Sequence, residues 1–439
     1  MLVIIGGVLA EWVLRRIPRG PVWQSRDFRL FWLGQSASFI GWEVTELALP
    51  LTAVVVLGAG PDQMGMLVAT QNLPFLFVGL LAGVWVDRFR RRPILIVMAL
   101  ANAAALAAIP LASLLGALRF EGLLIVGLVT GTTVVISSVA YQSLVPSLVP
   151  RPQLVDANAS LEVSSSTATM LGPSLGGLLV QMLTAPVAIA ADVVSSLFSA
   201  LTLSAIRVPE PAPIAREHRA GVVRQIEEGL RHVAGHPLLR SITACGAIHN
   251  FFSRMIDALF ILFVVTVVGL DPITLGLVLA AAGPGSLIGA LLSNRLPSRL
   301  GLGRTLIAGQ VVTGLSRLLI PLAVGPFGSP AVILAGSTFL LGVARPIFNV
   351  NQLSLRQAIT ADRLQGRVNA TMRFVMWGVT PFGALLGGMA ASTFGLQPVL
   401  LVAGLGVLAA TLALVLSPVA SLQRQPDPVD DLGPSAHGP

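Results

Sequence analysis

The sequence predicts an all-α membrane protein: twelve transmembrane helices in two pseudo-symmetric six-helix bundles. Three observations carry this. Apolar runs of about 20 residues, the length that crosses the hydrocarbon core of a bilayer, recur along nearly the whole chain. Of the 28 basic residues, all arginine, four fall inside those runs (Arg254, Arg317, Arg345, Arg373) and Arg119 lies in a loop on one side, leaving 23 on the other. Basic residues in short loops collect on the cytoplasmic side, so both termini are expected there. Finally, short segments recur at an offset of 211 residues.

Composition sets the class. The 439 residues are 54% hydrophobic and 11% charged, with mean hydropathy +0.83, against about 25% charged residues in soluble domains. Lysine is missing altogether, which excludes a Walker A loop and Schiff-base chemistry, since both need its amine. The net charge of +8 is spread over short loops; it reads as topology, and no nucleic-acid partner is expected. Cys245 is the only cysteine, so no intrachain disulfide or thiolate metal cluster can form. Residues 1–10 are apolar, but Arg15, Arg16 and Arg19 follow rather than precede them, the wrong order for a cleaved signal peptide. Residues 1–26 read as an interfacial or cytoplasmic segment.

In chain order, residues 27–206 form the first bundle, with spans near 30–57, 64–86, 93–115, 123–145, 157–182 and 185–206. Pro93 suits the first turn of span 3, and span 4 carries small and polar residues that belong against protein or water. Residues 207–237 form a cytoplasmic linker, in which Val222, Val223, Ile226, Leu230 and Val233 recur at helical spacing and predict an amphipathic helix. The second bundle, 238–418, has spans near 241–268, 273–294, 305–325, 330–355, 368–391 and 397–417, and the polar, proline-rich tail 419–439 is expected to be disordered. Across the offset, Asn158-Ala159-Ser160 matches Asn369-Ala370-Thr371, Gly176-Gly177 matches Gly387-Gly388, and Gly65 matches Gly276. Two halves of parallel orientation place a binding site between them near the midplane.

Between spans 2 and 3 runs Gly83-x-Trp85-x-Asp87-Arg88-x-x-Arg91-Arg92. Gly83 allows close backbone approach and Asp87 accepts hydrogen bonds, so this loop either latches one bundle against another or is a topogenic charge cluster. It resembles the corresponding loop motif of the major facilitator superfamily, and Gly172-Pro173-x-x-Gly176-Gly177 in span 5 resembles the motif of that superfamily's antiporters. The chain from about 26 to 418 is similar to the macrolide-efflux and siderophore-exporter branch of its drug:proton antiporters, through RDFRLFWLGQ, EEGLRHVAGHPLLR and RLQGRVNATMRF. The resemblance implies proton-driven export by alternating access, with spans 1, 4, 7 and 10 lining the cavity. Span 4 lacks the arginine that many of these antiporters carry, and the second-half loop keeps Arg295, Arg299 and Arg304 without the acid.

Ionisable groups inside a bilayer are expensive and mark proton relays or substrate pathways. Glu43 and Glu46, one turn apart in span 1, are the leading proton carriers, with Asp257 in span 7; a structural ion pair is the alternative for each. Arg254 stands three residues from Asp257 and either pairs with it in the helix or faces the cavity. Tyr141, Gln142, His249, Asn250, Arg254, Arg345, Asn349 and Gln352 are expected at the substrate cavity, with Arg345 the arginine that answers Glu43 or Glu46 across the halves. Asp192, Arg317 and Arg373 read as structural. The gating residues are Gly83, Asp87, Arg88, Arg91, Arg92, Gly172, Pro173, Gly176 and Gly177, the last four also permitting a tight, kinked crossing. His232 and His236 follow Glu228 at metal-ligand spacing, but Gly235 and Pro237 disrupt that geometry, and no metal is expected.

The expected protein is a monomeric, multi-pass pump of a bacterial-type inner or plasma membrane. It exchanges a proton, the coupling ion, for a hydrophobic or amphiphilic small molecule and needs no other cofactor. An uncoupled facilitator or importer of the same fold, and a membrane-embedded binding protein that moves nothing, are the alternatives. No enzyme site is found.

Overall fold

The structure, a computed structural model, describes residues 21–78, 89–207, 222–325 and 328–426. Twelve helices form the body: α1 (Arg26–Leu51), α2 (Pro61–Phe77), α3 (Arg91–Leu114), α4 (Phe120–Leu148), α5 (Leu154–Leu183), α6 (Ala190–Ser204), α7 (Pro237–Phe263), α8 (Pro272–Ala280 with Ala282–Ser293), α9 (Leu302–Leu322), α10 (Pro330–Ala358), α11 (Asp362–Gly378 with Thr380–Phe394) and α12 (Leu396–Ala409 with Leu412–Val415). Ten described stretches are long and apolar enough to cross a membrane. The remaining two are α2, described to Phe77, and α5, whose first turns carry Asp156, Asn158, Ser160 and Glu162.

Helix starts follow local chemistry. The Ser25 hydroxyl accepts the Phe28 amide at 3.2 Å with Asp27 in the first turn of α1, and Pro61, Pro237, Pro272 and Pro330 occupy first positions where no amide hydrogen is needed. α1 and α7 both run on into π-helical turns, Thr52–Val56 and Val264–Val268. Three expectations need correction. α11 begins at Asp362, well before the apolar run at 368, because its polar first turns are covered by the linker helix (Val222–Gly235), with Gly229 packed on Thr371 and Glu228 paired with Arg367. That helix forms as expected, yet it docks on α7 and α11, with Val233 buried and Leu230 exposed. The tail is ordered to residue 426: Val419 is fully buried, and the amides of Leu302 and Gly303 donate to Gln423 and Leu422.

The loops at 149–153, 294–301 and 359–361 share one face of the bundle with both ends of the described body; this is the basic face. On the opposite side the two halves meet at two crossings, α2 on α11 and α5 on α8. A Cβ added to Gly65 would lie 2.6 Å from the Ala384 carbonyl and 2.8 Å from Gly388 Cα; one added to Gly276 would lie 2.5 Å from the Pro173 carbonyl and 3.2 Å from Gly177 Cα. Reciprocally, Gly388 approaches the Pro61 carbonyl and Gly177 the Pro272 carbonyl. Every partner in one crossing maps onto its partner in the other at the 211-residue offset, so the duplication is present as contacts as well as letters. Small residues let the helices close to backbone contact, as membrane helices do where lipid offers no hydrophobic drive.

Toward the basic face the halves part. On α11 Arg373 and Trp377 turn to Ser138 and Phe75 of the first half, and the stripe of α5 that holds their equivalents, Val155, Ala159, Glu162 and Ser166, is exposed. Between the crossings and this face the halves leave a cleft, marked by the exposed side chains of Glu46 on α1, Gln142 on α4 and Glu162 on α5 and of Arg345 and Asn349 on α10 and Arg373 on α11.

Candidate functional site

The first wall is built on the α5 motif. Gly172 packs directly on Glu43, a Cβ there falling 2.3 Å from Glu43 Cβ, while Gly176 faces Val44 and Leu47 and Gly177 faces α8. Gly172, Pro173, Gly176 and Gly177 therefore bring α1, α5 and α8 to one point and fix Glu43 beside the inter-half crossing. Thr169 on α5 donates to Glu43 Oε1 at 2.7 Å. Glu46, one turn on, is exposed, and neither acid is in an ion pair among the described residues. Tyr141 on α4 is half-buried, stacked on Phe31 at 5.4 Å with Phe39 at its edge. Gln142 is exposed, one turn beyond Ser138, whose hydroxyl is 3.5 Å from Arg373 of the other half.

On the second wall Asp257 is the hub. Arg317 of α9 pairs with it at 3.0 Å and Arg254 at 3.6 Å. Arg254 pairs within α7 and also lies 5.7 Å over the ring of Trp377, which stacks on Phe75 of α2. Arg373 covers that Phe75 at 5.9 Å, so two guanidiniums and two rings form one stack across the halves. Arg345, Asn349, Gln352 and Arg356 recur at helical spacing along α10. Arg345 and Asn349 are exposed, whereas the Gln352 amide oxygen is buried without a hydrogen-bond partner. Arg345 interacts electrostatically with Glu43, Asp257, Arg254 and Arg317, and Glu46 with Arg254, Glu43 and Asp257, so these groups share one space. Arg345 makes no ion pair with Glu43 or Glu46; the direct partner of Glu43 is Thr169.

Two residues expected at the cavity serve packing. The amide nitrogen of Gln310 on α9 lies 3.1 Å from His249 Nδ1 and donates to Val407, and the other ring nitrogen lies 3.4 Å from the Ser253 hydroxyl, which ties the imidazole into the α7–α9–α12 contact. Asn250 donates to the Met376 carbonyl and ties α7 to α11. Arg317 and Arg373 are the residues that the sequence placed away from the site; a charge inside a span signals that it needs a partner, though not that the partner is Asp257 for the one and the Phe75 ring for the other. Asp192 is structural, as expected: it is buried in α6 and accepts from Thr45 at 2.7 Å and from Ser195 and Ser196.

Of the gating loop, Gly83, Asp87 and Arg88 lie outside the described residues. Arg91 opens α3, and Arg92 donates to the Leu203 and Ser204 carbonyls, capping α6 within the same half. Glu228 is engaged by Arg367, and burial beside His232 lowers the pKa of His236.

A family model described as transmembrane secretion effector matches residues 20–435. Macrolide efflux protein A of Streptococcus pyogenes is 22% identical over 377 residues, covering 86% of this chain and 92% of that protein. Enterobactin exporter EntS of Citrobacter koseri is 27% identical over 423 residues, covering 93% and 95%. Among solved structures, the nucleoside transporter NupG (D323A mutant) superposes with a TM-score of 0.72 at 12% identity, covering 89% of this chain and 99% of that one; the likeness is one of fold.

Proposed function

Because this chain belongs to the transmembrane secretion effector family of the major facilitator superfamily, we propose that it is a pump that exports a hydrophobic or amphiphilic small molecule in exchange for protons. The observation that carries the reading is the pair Glu43 and Glu46: two carboxyls on one helix, on the cleft wall, without an ion-pair partner, and beside the crossing about which the halves would rock. Charge that enters or leaves at Glu43 changes its interaction with Arg345 on the opposite wall, and with it the balance between the two open states. The efflux and exporter names of the relatives support outward transport. The arginine-rich loops support a cytoplasmic basic face in a bacterial-type plasma membrane, with both termini inside.

The test is proton-driven accumulation of a lipophilic dye or macrolide in inverted vesicles. Glu43→Gln combined with Glu46→Gln is expected to abolish dependence on the pH gradient while the protein still inserts. Gradient-dependent accumulation that survives the double substitution would sink these carriers, and wild-type transport indifferent to an uncoupler would replace the pump with a facilitator.

A further inference from the structure

The two cleft walls carry opposite charge, and the 211-residue offset shows where the reversal lies. Glu43 of α1 is equivalent to Arg254 of α7, and Glu162 of α5 to Arg373 of α11. To these the second wall adds Arg345, whose equivalent on α4 is Val134. Glu46, Glu162, Arg345 and Arg373 are exposed, and none of them is in an ion pair among the described residues; neither is Glu43. Beside them Phe75 stacks on Trp377 at 5.4 Å, with Arg254 over Trp377 and Arg373 over Phe75. Unpaired charges of opposite sign on facing walls are complementary to a molecule that is itself dipolar.

We propose that the cleft takes a zwitterionic amphiphile, its basic amine against Glu43 and Glu46 and its acidic group against Arg345 and Arg373. The assignment rests on the export reading above and deepens it. An amine seated between Glu43 and Glu46 competes with protons for the same carboxyls, which is what exchange requires, while the acid anchors the other end without taking part in that competition. A guest with the amine alone leaves the guanidiniums of the second wall unmatched, and one with the acid alone leaves the carboxylates unmatched.

The experiment uses the full chain in nanodiscs and three forms of one fluorescent planar amphiphile: with a free primary amine and a free carboxylate, with the carboxylate as its methyl ester, and with the amine acetylated. The zwitterion is expected to bind about ten- to a hundredfold more tightly than either derivative, the range for one charge-assisted hydrogen bond. Arg345→Gln should erase the difference between acid and ester but keep that between amine and amide; Arg345→Lys should restore the former; Glu43→Gln with Glu46→Gln should do the converse. Equal binding of all three forms to the wild type overturns the proposal, as does a preference that survives both sets of substitutions. It is also overturned if Arg345→Gln slows transport of all three alike without changing their relative affinities, because the walls then serve to pair with each other on closure. Equal binding together with proton-driven accumulation leaves the export reading standing without the dipolar guest. Selective binding without accumulation leaves the guest and removes the export reading.

Discussion

The two halves agree where backbones touch and disagree where side chains face the cleft. Gly65 on Gly388 and Gly276 on Gly177 are one contact written twice, down to the carbonyls of Pro61 and Pro272, which face Gly388 and Gly177. Acid at Glu46 recurs as acid at Asp257, but Asp257 has Arg317 at 3.0 Å, whereas the position equivalent to Arg317 in the first half is Leu106, fully buried among apolar side chains. Close crossing tolerates only small residues, so that geometry repeats; a wall charge is constrained by what opposes it, and the opposing walls differ. Thus the acid of the second half is held in an ion pair, while its counterpart in the first half has none among the described residues.

The sharpest way to break the comparison is to fill one crossing at a time. Gly65→Val and Gly276→Val each drive a side chain into a backbone carbonyl, at 2.6 and 2.5 Å from the added Cβ, and should each cost about 3 kcal/mol, the upper part of the overpacking range. Thermal unfolding in detergent should give equal losses for the two variants, with transport lost in both; a loss in one alone would mean that the crossings are not equivalent.

Next in size is the charge contrast. Arg317→Leu, which copies the first half's Leu106, leaves Asp257 with Arg254 at 3.6 Å and should cost about 2 kcal/mol, less than a fully buried pair because Asp257 is 34% exposed. Glu46→Gln has no partner to strand and should change stability by less than about 0.5 kcal/mol. Denaturant titration of the two variants separates them, and equal costs would erase the distinction between a paired and an unpaired acid. A smaller effect is expected from Thr45→Val, which takes a 2.7 Å donor from buried Asp192 at about 1–2 kcal/mol. The equivalent positions in the second half are Ile256 and Ala403, both fully buried and apolar, so Ile256→Thr should fail to compensate.

Spans were legible because apolar length is itself the signal, and the repeat because glycines at a crossing cannot drift. Contacts across the repeat were not legible: the offset relates Gly65 to Gly276, but Gly65 touches Gly388, since equivalence along the chain says nothing of which helices face each other. The start of α11 was missed because its first turns are polar and satisfied by the linker helix, a partner about 140 residues away on the extended-chain view of loop closure. His249 looked available because Ser253 and Asn250 are local while Gln310, which fixes the ring, lies on another helix. Of the site, the acids could be read from the cost of charge in a bilayer; which of them is paired depended on α9.

A last comparison tests the caps that start α2 and α8. Gly60 and Asp271 are equivalent, and they solve the same problem differently: the Gly60 amide donates to the Gln63 side chain at 3.0 Å, whereas the Asp271 carboxylate accepts from the amides of Ile273 and Thr274 and from the Thr274 hydroxyl. Those hydrogen bonds hold Asp271 below its ordinary pKa, the Thr274 hydroxyl contributing most. A carboxyl whose folded pKa is depressed adds stability that is complete above its unfolded value, about 3.9, and is lost as pH falls through the lower folded value. Asp271→Ala should therefore cost about 1 kcal/mol at neutral pH and progressively less in acid. Asp271→Asn keeps an acceptor for the amides and should lose less, with a flatter acid limb. Unfolding followed from pH 7 down to about pH 3 reads this directly. A wild-type acid limb unchanged by either substitution would show that the cap adds nothing, and that the second half begins α8 as the first begins α2, without help from a charge.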